Sequence, residues 1–218
     1  VISGFTSFYL GVKSVCDSAT MEVKYTNSWA SFDLEKECAE QLIADGCVLI
    51  SQHADTTGAP TACEAKKVPC VGYNIDMIPT APDAALTSAT INWGPYYTYA
   101  VQSVIDGTAI ETDWAKGVKD GADAITELND KTVAEGTKEA VEEAQKGIED
   151  GTLHVFDTSK FTVGGKTLEE LVESGDEDAT KLQSYIKDGY FHESDVAGGM
   201  TSAPAFTFII DGIDSITK

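Results

Sequence analysis

The sequence predicts an α/β fold, a Rossmann-like parallel sheet flanked by helices. Three observations carry that expectation. From Val1 to about Thr90, segments of helical and strand periodicity alternate at short, regular length, the signature of βαβ units. The run CVLIS, residues 47–51, is apolar on both faces, as a central strand covered by helices must be. Gly46 and Gly107 each follow a run of helical periodicity, the position where glycine closes a helix.

Taken in order, Phe5, Phe8, Tyr9, Val12 and Val15 fall at helical spacing, and MEVKYT then alternates as a half-buried strand. A helix is expected over 32–45, with Leu34, Cys38 and Leu42 as its inward stripe. After the 47–51 strand come a helix over 58–67, a buried strand in PCVGYN (69–74) and a further strand in ALTSATIN (85–92). GPYYTYAVQSVIDG (94–107) reads as a helix, because Pro95 stands in its first turn, where a missing N–H costs nothing.

Beyond this the pattern loosens. Residues 133–151 predict a helix with Val133, Val141, Ala144 and Ile148 inward. LHVFD and AFTFIIDG (205–212) read as strands, TVGGKT as a hairpin turn and DEDATKLQSYIKDG as a helix. The recurring tetrads IADG, VIDG, VKDG, IEDG, IKDG and IIDG are too irregularly spaced for a solenoid and read mostly as helix ends.

Composition narrows the partners. Fifteen Lys and Arg against 36 Asp and Glu give a net charge of −21, which argues against nucleic acid or an anionic membrane surface. No apolar run approaches the roughly 20 residues of a membrane-spanning helix. The chain opens on Val1 rather than Met, which reads as a processed or trimmed product. Its five cysteines, Cys16, Cys38, Cys47, Cys63 and Cys70, contain no CxxC or CxxH and are expected to be mostly free structural thiols.

Candidate site residues come from topology. In open α/β sheets ligands bind beyond the carboxyl ends of the strands. SQHADTTG places His53, Asp55 and Thr56 at such an end, just before a helix whose first N–H groups are free. TNSW places Asn27 and Trp29 at another, and GYNIDM places Asn74 and Asp76 at a third. One rim carrying all three is the arrangement of a small-molecule cleft. The alternative for each residue is a turn role, since Asn and Asp favour turns and Thr caps helices. Trp93, in INWGPYY, either stacks on a flat ligand or packs in a core. His53 and Asp55 lack the further ligands a metal needs, and no nucleophile motif such as GxSxG is present, so neither a metal nor a cofactor is called for.

The ordered set GFTSFYLGVKSV, EVKYTNSW, EKECAEQLIADGC, SQHADTTG, VGYNIDM, APDAALTSATINWGPYY and VIDGT resembles the basic membrane protein family of ABC-transporter substrate-binding lipoproteins, over about residues 1–155. The resemblance implies the C-terminal portion of a type I periplasmic-binding-protein fold, extracytoplasmic and anchored by an N-terminal lipid in the full-length protein. It also implies a purine-base or nucleoside ligand passed unchanged to an ABC permease. Asp76 matches a ribose-binding aspartate of the nucleoside-binding members. Asn92 and Trp93 stand where those members carry a lysine, which sets this chain closer to the NWGPYY branch.

On the same resemblance, residues 1–92 are most of the C-terminal ligand-binding lobe. Residues 93–155 cross back toward an N-terminal lobe, and 156–218 return across the hinge with no function assigned. The first lobe is expected to be absent, leaving an incomplete cleft and apolar surface that favours self-association. A sensor or receptor subunit, or a hydrolase using Asp55 or Asp76 as base, are the competing readings.

Overall fold

The computed structural model describes residues 1–112, 114–192 and 205–216. Its elements are α1 (Ile2–Val15), β1 (Met21–Lys24), α2 (Phe32–Ala44), β2 (Ile50–Ser51), α3 (Gly58–Lys66), β3 (Cys70–Tyr73), β4 (Ala85–Ile91), α4 (Gly94–Asp106), β5 (Asp123–Ile125), α5 (Thr137–Glu149), α6 (Leu168–Glu173), α7 (Glu177–Lys181), β6 (Ile186–Lys187), β7 (Tyr190–Phe191) and β8 (Ile213–Ile216). They divide into two compact units. The first comprises Val1–Met21, Trp93–Ala122 and Gly147–Ile213; the second comprises Glu22–Asn92, Asp123–Lys146 and Asp214–Lys218.

The second unit holds the expected parallel sheet. Its order is β2-β3-β4-β5, with β2, β3 and β4 parallel and β5 antiparallel to β4. The strand expected over 47–51 is confined to Ile50–Ser51, and β1 pairs with the C-terminal β8 instead of joining this sheet. β5 is held by more than its ladder: the Thr87 hydroxyl donates to the Thr126 carbonyl, and Ser88 N–H donates to the Thr126 hydroxyl. Buried Asn129 then donates to the carbonyls of Pro82 and Ala85, fastening the segment after β5 to the start of β4.

The core of this unit is built from small side chains: Ala39, Ala59, Ala62, Cys63, Cys70, Ala81, Ala84 and Ala85 surround Ile50 and Met77. Small residues let backbones approach closely, and Gly58 shows how closely. A Cβ there would lie 2.3 Å from the Phe32 carbonyl oxygen. The α2 stripe is therefore displaced from the expected one. Leu34 is exposed, Cys38 and Leu42 are half-buried, and the buried face centres on Glu35 and Ala39, where α3 packs.

The first unit contains α1, which buries Phe5, Thr6, Tyr9 and Leu10, and α4, closed by Gly107 in the left-handed region as expected. Three strand or helix expectations in the second half need correction. LHVFD forms only a single bridge, Asp157 to Tyr190, and residues 205–210 form no strand. In both segments phenylalanines serve a ring cluster instead of a ladder: Phe206 lies 4.7 Å from Phe156, 5.3 Å from Phe191 and 5.9 Å from Phe161. The helix expected over DEDATKLQSYIKDG ends at Lys181; a 3-10 turn follows, then the β6–β7 hairpin, whose turn places Asp188 and Gly189 both at positive φ. The TVGGKT turn forms, clamped by Asp211, whose carboxylate accepts the Gly164 and Gly165 N–H groups. The 133–151 helix begins only at Thr137, with Val141 and Ile148 half-buried and Ala144 exposed. Of the segment 156–218, residues 193–204 and 217–218 lie outside those described.

Candidate functional site

Within the second unit, the loops after β1, β2 and β3 are joined by named hydrogen bonds. Asp55 N–H donates to the Trp29 carbonyl at 2.8 Å, tying SQHADTTG to TNSW. The Asn74 side-chain amide donates to Asp55 Oδ1 at 2.9 Å, tying it to GYNIDM. Asn74 is itself fixed at both backbone ends, its N–H on the Ala89 carbonyl and its C=O accepting from the Thr90 hydroxyl. Asn27 and Asn74 both take left-handed φ values, 52° and 64°, the conformation asparagine tolerates better than most residues.

Beneath the loops lies Glu35, a residue the sequence reading did not single out. It is only 3% exposed, and its two carboxylate oxygens accept one backbone N–H each, from Ser31 and from Thr56, both at 3.2 Å. One buried charge thus fixes the loop after β1 and the loop after β2 together. A signal existed: Ser31 stands at the N-cap position of α2 and Glu35 follows four residues on, one beyond capping-box spacing. Gln52 was also missed. Its amide N–H groups donate to the carbonyls of Ala54 and Thr56, which sets the amide orientation and leaves Oε1 buried without a partner among the described residues.

His53 is half-buried, its ring 5.6 Å from that of Tyr73, and its Nε2 is buried without a hydrogen bond among the described residues. Burial pushes its pKa down to about 4, so the imidazole is neutral at physiological pH. Thr56 contributes structure as well: its hydroxyl accepts Gly58 N–H at the start of α3, which accounts for it as a capping group. Asp76 is exposed, and its Oδ1 accepts Ile78 N–H, a turn role that leaves Oδ2 uncommitted. Trp29 is 65% exposed.

Trp93 falls in the first unit, at the N-cap of α4, with its ring 6.2 Å from Tyr97 and 6.4 Å from Tyr96. Tyr96 and Tyr99 both pack on Trp114, whereas Tyr97 is exposed. Among the described residues no three His, Cys, Asp or Glu side chains converge as a metal site, and no helix is long and apolar enough to cross a membrane.

Seven of the eight candidate residues thus lie on the strand-end loops of one unit. Residues 1–153 match the profile of a protein family described as ABC transporter substrate-binding protein, PnrA-like. The chain belongs to this family. ABC-transporter substrate-binding proteins of this kind act outside the cytoplasm, and the expected family is borne out.

Two curated relatives and two solved structures place the chain further. It is 33% identical over 156 residues to a purine-binding protein of Brucella abortus, an alignment covering 72% of this chain and 44% of that one. It is 27% identical over 161 residues to a putative ABC transporter glucose-binding protein of Haloferax volcanii, covering 74% and 41% respectively. The chain therefore spans less than half the length of the curated relatives it matches. In fold it is similar to an ABC transporter solute-binding protein from Conexibacter woesei, with a TM-score of 0.56 at 19% identity over 71% of this chain and 52% of that one. A transcriptional activator of the comK gene from Bacillus halodurans gives the same TM-score, 0.56, at 14% identity over 68% and 63%. The α/β class and the family resemblance hold; the site residues rest on geometry alone.

Proposed function

We propose that this chain supplies one wall of the ligand cleft of an ABC importer's solute-binding protein, and that the ligand is a purine base or nucleoside. One observation carries the reading: three strand-end loops, hydrogen-bonded to one another through Trp29, Asp55 and Asn74, carry an exposed indole and two aspartates that each have one oxygen engaged within the loops. The indole stacks on a flat ring, and Asp55, Asp76 and Asn27 pair with ring N–H groups or ribose hydroxyls. Apart from buried Glu35, the rim's charges are the two aspartates, so it selects neutral or cationic ligands rich in donors and repels phosphate esters. The purine-binding Brucella relative supports the ring assignment.

The ligand leaves unchanged, for delivery to an ABC permease, and the full-length protein is held at the membrane by an N-terminal lipid. The same reading includes self-association of the chain alone, which its mass in solution measures. A sugar ligand is the second reading, favoured by the glucose-binding Haloferax relative and by the liking of exposed indoles for sugar faces. Calorimetric titration of the full-length protein with adenine, adenosine and glucose separates the two. Saturable heat is expected with the purines, weakened about 5- to 150-fold in Asp55→Asn, the equivalent of about 1–3 kcal/mol for one unpaired buried group. Binding of glucose alone, or of none of the three, overturns the purine assignment.

A further inference from the structure

The open face of α4 is apolar, the reverse of what a solvent-facing helix carries. Trp93, at the N-cap, and Tyr97, Val101, Val104 and Ile105 are between 56% and 71% exposed. At about 100° per residue, these five side chains fall within an arc of about 120°. The opposite arc is the packed one: the Tyr96 and Tyr99 rings lie 5.4 Å and 6.3 Å from that of Trp114, and Ser103 is buried. The helix therefore packs one side and leaves an aromatic and aliphatic stripe uncovered from its first turn to its last. The stripe is also free of charge. No Asp, Glu, Lys or Arg stands between Asp83 and Asp106, in a chain whose net charge is −21.

We propose that this stripe is the interface through which two copies of the chain pair, related by a two-fold axis with α4 antiparallel to α4. The inference deepens the self-association included in the functional reading above, and it does not depend on which ligand the cleft takes. Charge selects the occupant. Two copies at −21 each repel one another, and they repel least where the surface brings no charge to the contact, as along α4. A two-fold contact presses a patch against itself, so the patch must be its own complement; a neutral apolar stripe is, whereas an acidic surface is not. Size agrees as well. A Trp and a Tyr more than half exposed leave about 100 Å² open each, and the three aliphatic side chains about as much each, so two copies bury about 1,000 Å² between them, where specific interfaces begin. Val101 lies midway along the stripe, so the axis passes near it and brings Val101 of both copies together.

Sedimentation velocity of the 218-residue chain at concentrations up to about 100 μM, suited to an interface of this size, reads the state directly. A species of two chains is expected. Val101→Lys, which buries an unpaired charge beside the axis, should weaken pairing at least about 100-fold, and Val101→Glu should do the same. Mixed in equal amounts, the two variants should recover the pair, a result that misfolding cannot produce. Val48→Lys, at an exposed apolar position in the second unit, should leave pairing unchanged. A chain that stays monomeric overturns this inference together with the self-association reading. A dimer that survives Val101→Lys, or charge variants that stay monomeric when mixed, overturns the α4 interface alone.

Discussion

Glu35→Gln tests whether one buried carboxylate holds the rim together. Each carboxylate oxygen accepts a single backbone N–H, from Ser31 and from Thr56, at 3.2 Å, in a side chain only 3% exposed. Glutamine keeps the shape but offers one oxygen, so one N–H is left facing an amide NH2 group. An unpaired buried donor costs about 1–3 kcal/mol, and the surviving bond loses its charge assistance as well. A destabilisation of about 2 kcal/mol follows, and for a chain of this length each kcal/mol lowers the melting midpoint by about 2–4 °C. The expected fall is therefore about 4–8 °C by circular dichroism. Amide exchange is the local readout, with protection at the Ser31 or Thr56 N–H lost in the variant. Binding of purines by the full-length protein should weaken too, because the two loops Glu35 joins carry Trp29 and Asp55. A midpoint within about 1 °C of wild type, with both amides still protected, would refute the clamp.

Gly58→Ala places a Cβ 2.3 Å from the Phe32 carbonyl and 3.0 Å from the Lys36 nitrogen, so α3 must move off α2; urea unfolding should show a loss of about 1–3 kcal/mol. His53 is held neutral by burial, with its pKa lowered to about 4, so the unfolded chain binds its proton from about pH 6.5 downward while the folded chain does not. Stability is therefore full above pH 6.5 and falls between about 6.5 and 4; His53→Asn should flatten that slope in urea midpoints, and an imidazole titrating near 6.5 by NMR would contradict it. Asp83 accepts from Lys131 and, at 2.9 Å, from Lys67, which together hold its carboxyl down at about 2. Its contribution is present above about pH 4 and lost as pH falls toward 2, and Lys131→Ala should move its NMR titration midpoint up toward the ordinary 3.9.

The first 107 residues were legible because their periodicity is long and their stops are chemical. Gly107 and Pro95 bound α4 whatever packs against it, and the strand ends at His53 and Asn74 follow from placing apolar runs in a parallel sheet, whereas β1, before Asn27, pairs with β8. What periodicity cannot register is a polar group serving the interior. Glu35 carries no periodic signal of its own in the sequence, because only the folded loops supply the two N–H groups that make its burial tolerable. β5 was invisible for the opposite reason. Asp123–Ile125 is exposed throughout, and its place beside β4 is fixed by Thr126 bonding to Thr87 and Ser88, a pairing about 38 residues apart in sequence. In AFTFIIDG the apolar alternation was real but answered to Phe156, Phe161 and Phe191 in a ring cluster. The metal-like spacing of His53 and Asp55 misleads in the same way. The two side chains have different jobs: Asp55 Oδ1 is taken by Asn74, while the neutral His53 ring lies 5.6 Å from that of Tyr73. Two residues apart in sequence, the two side chains are thus directed to different neighbours, which is why their spacing alone does not make a coordination shell.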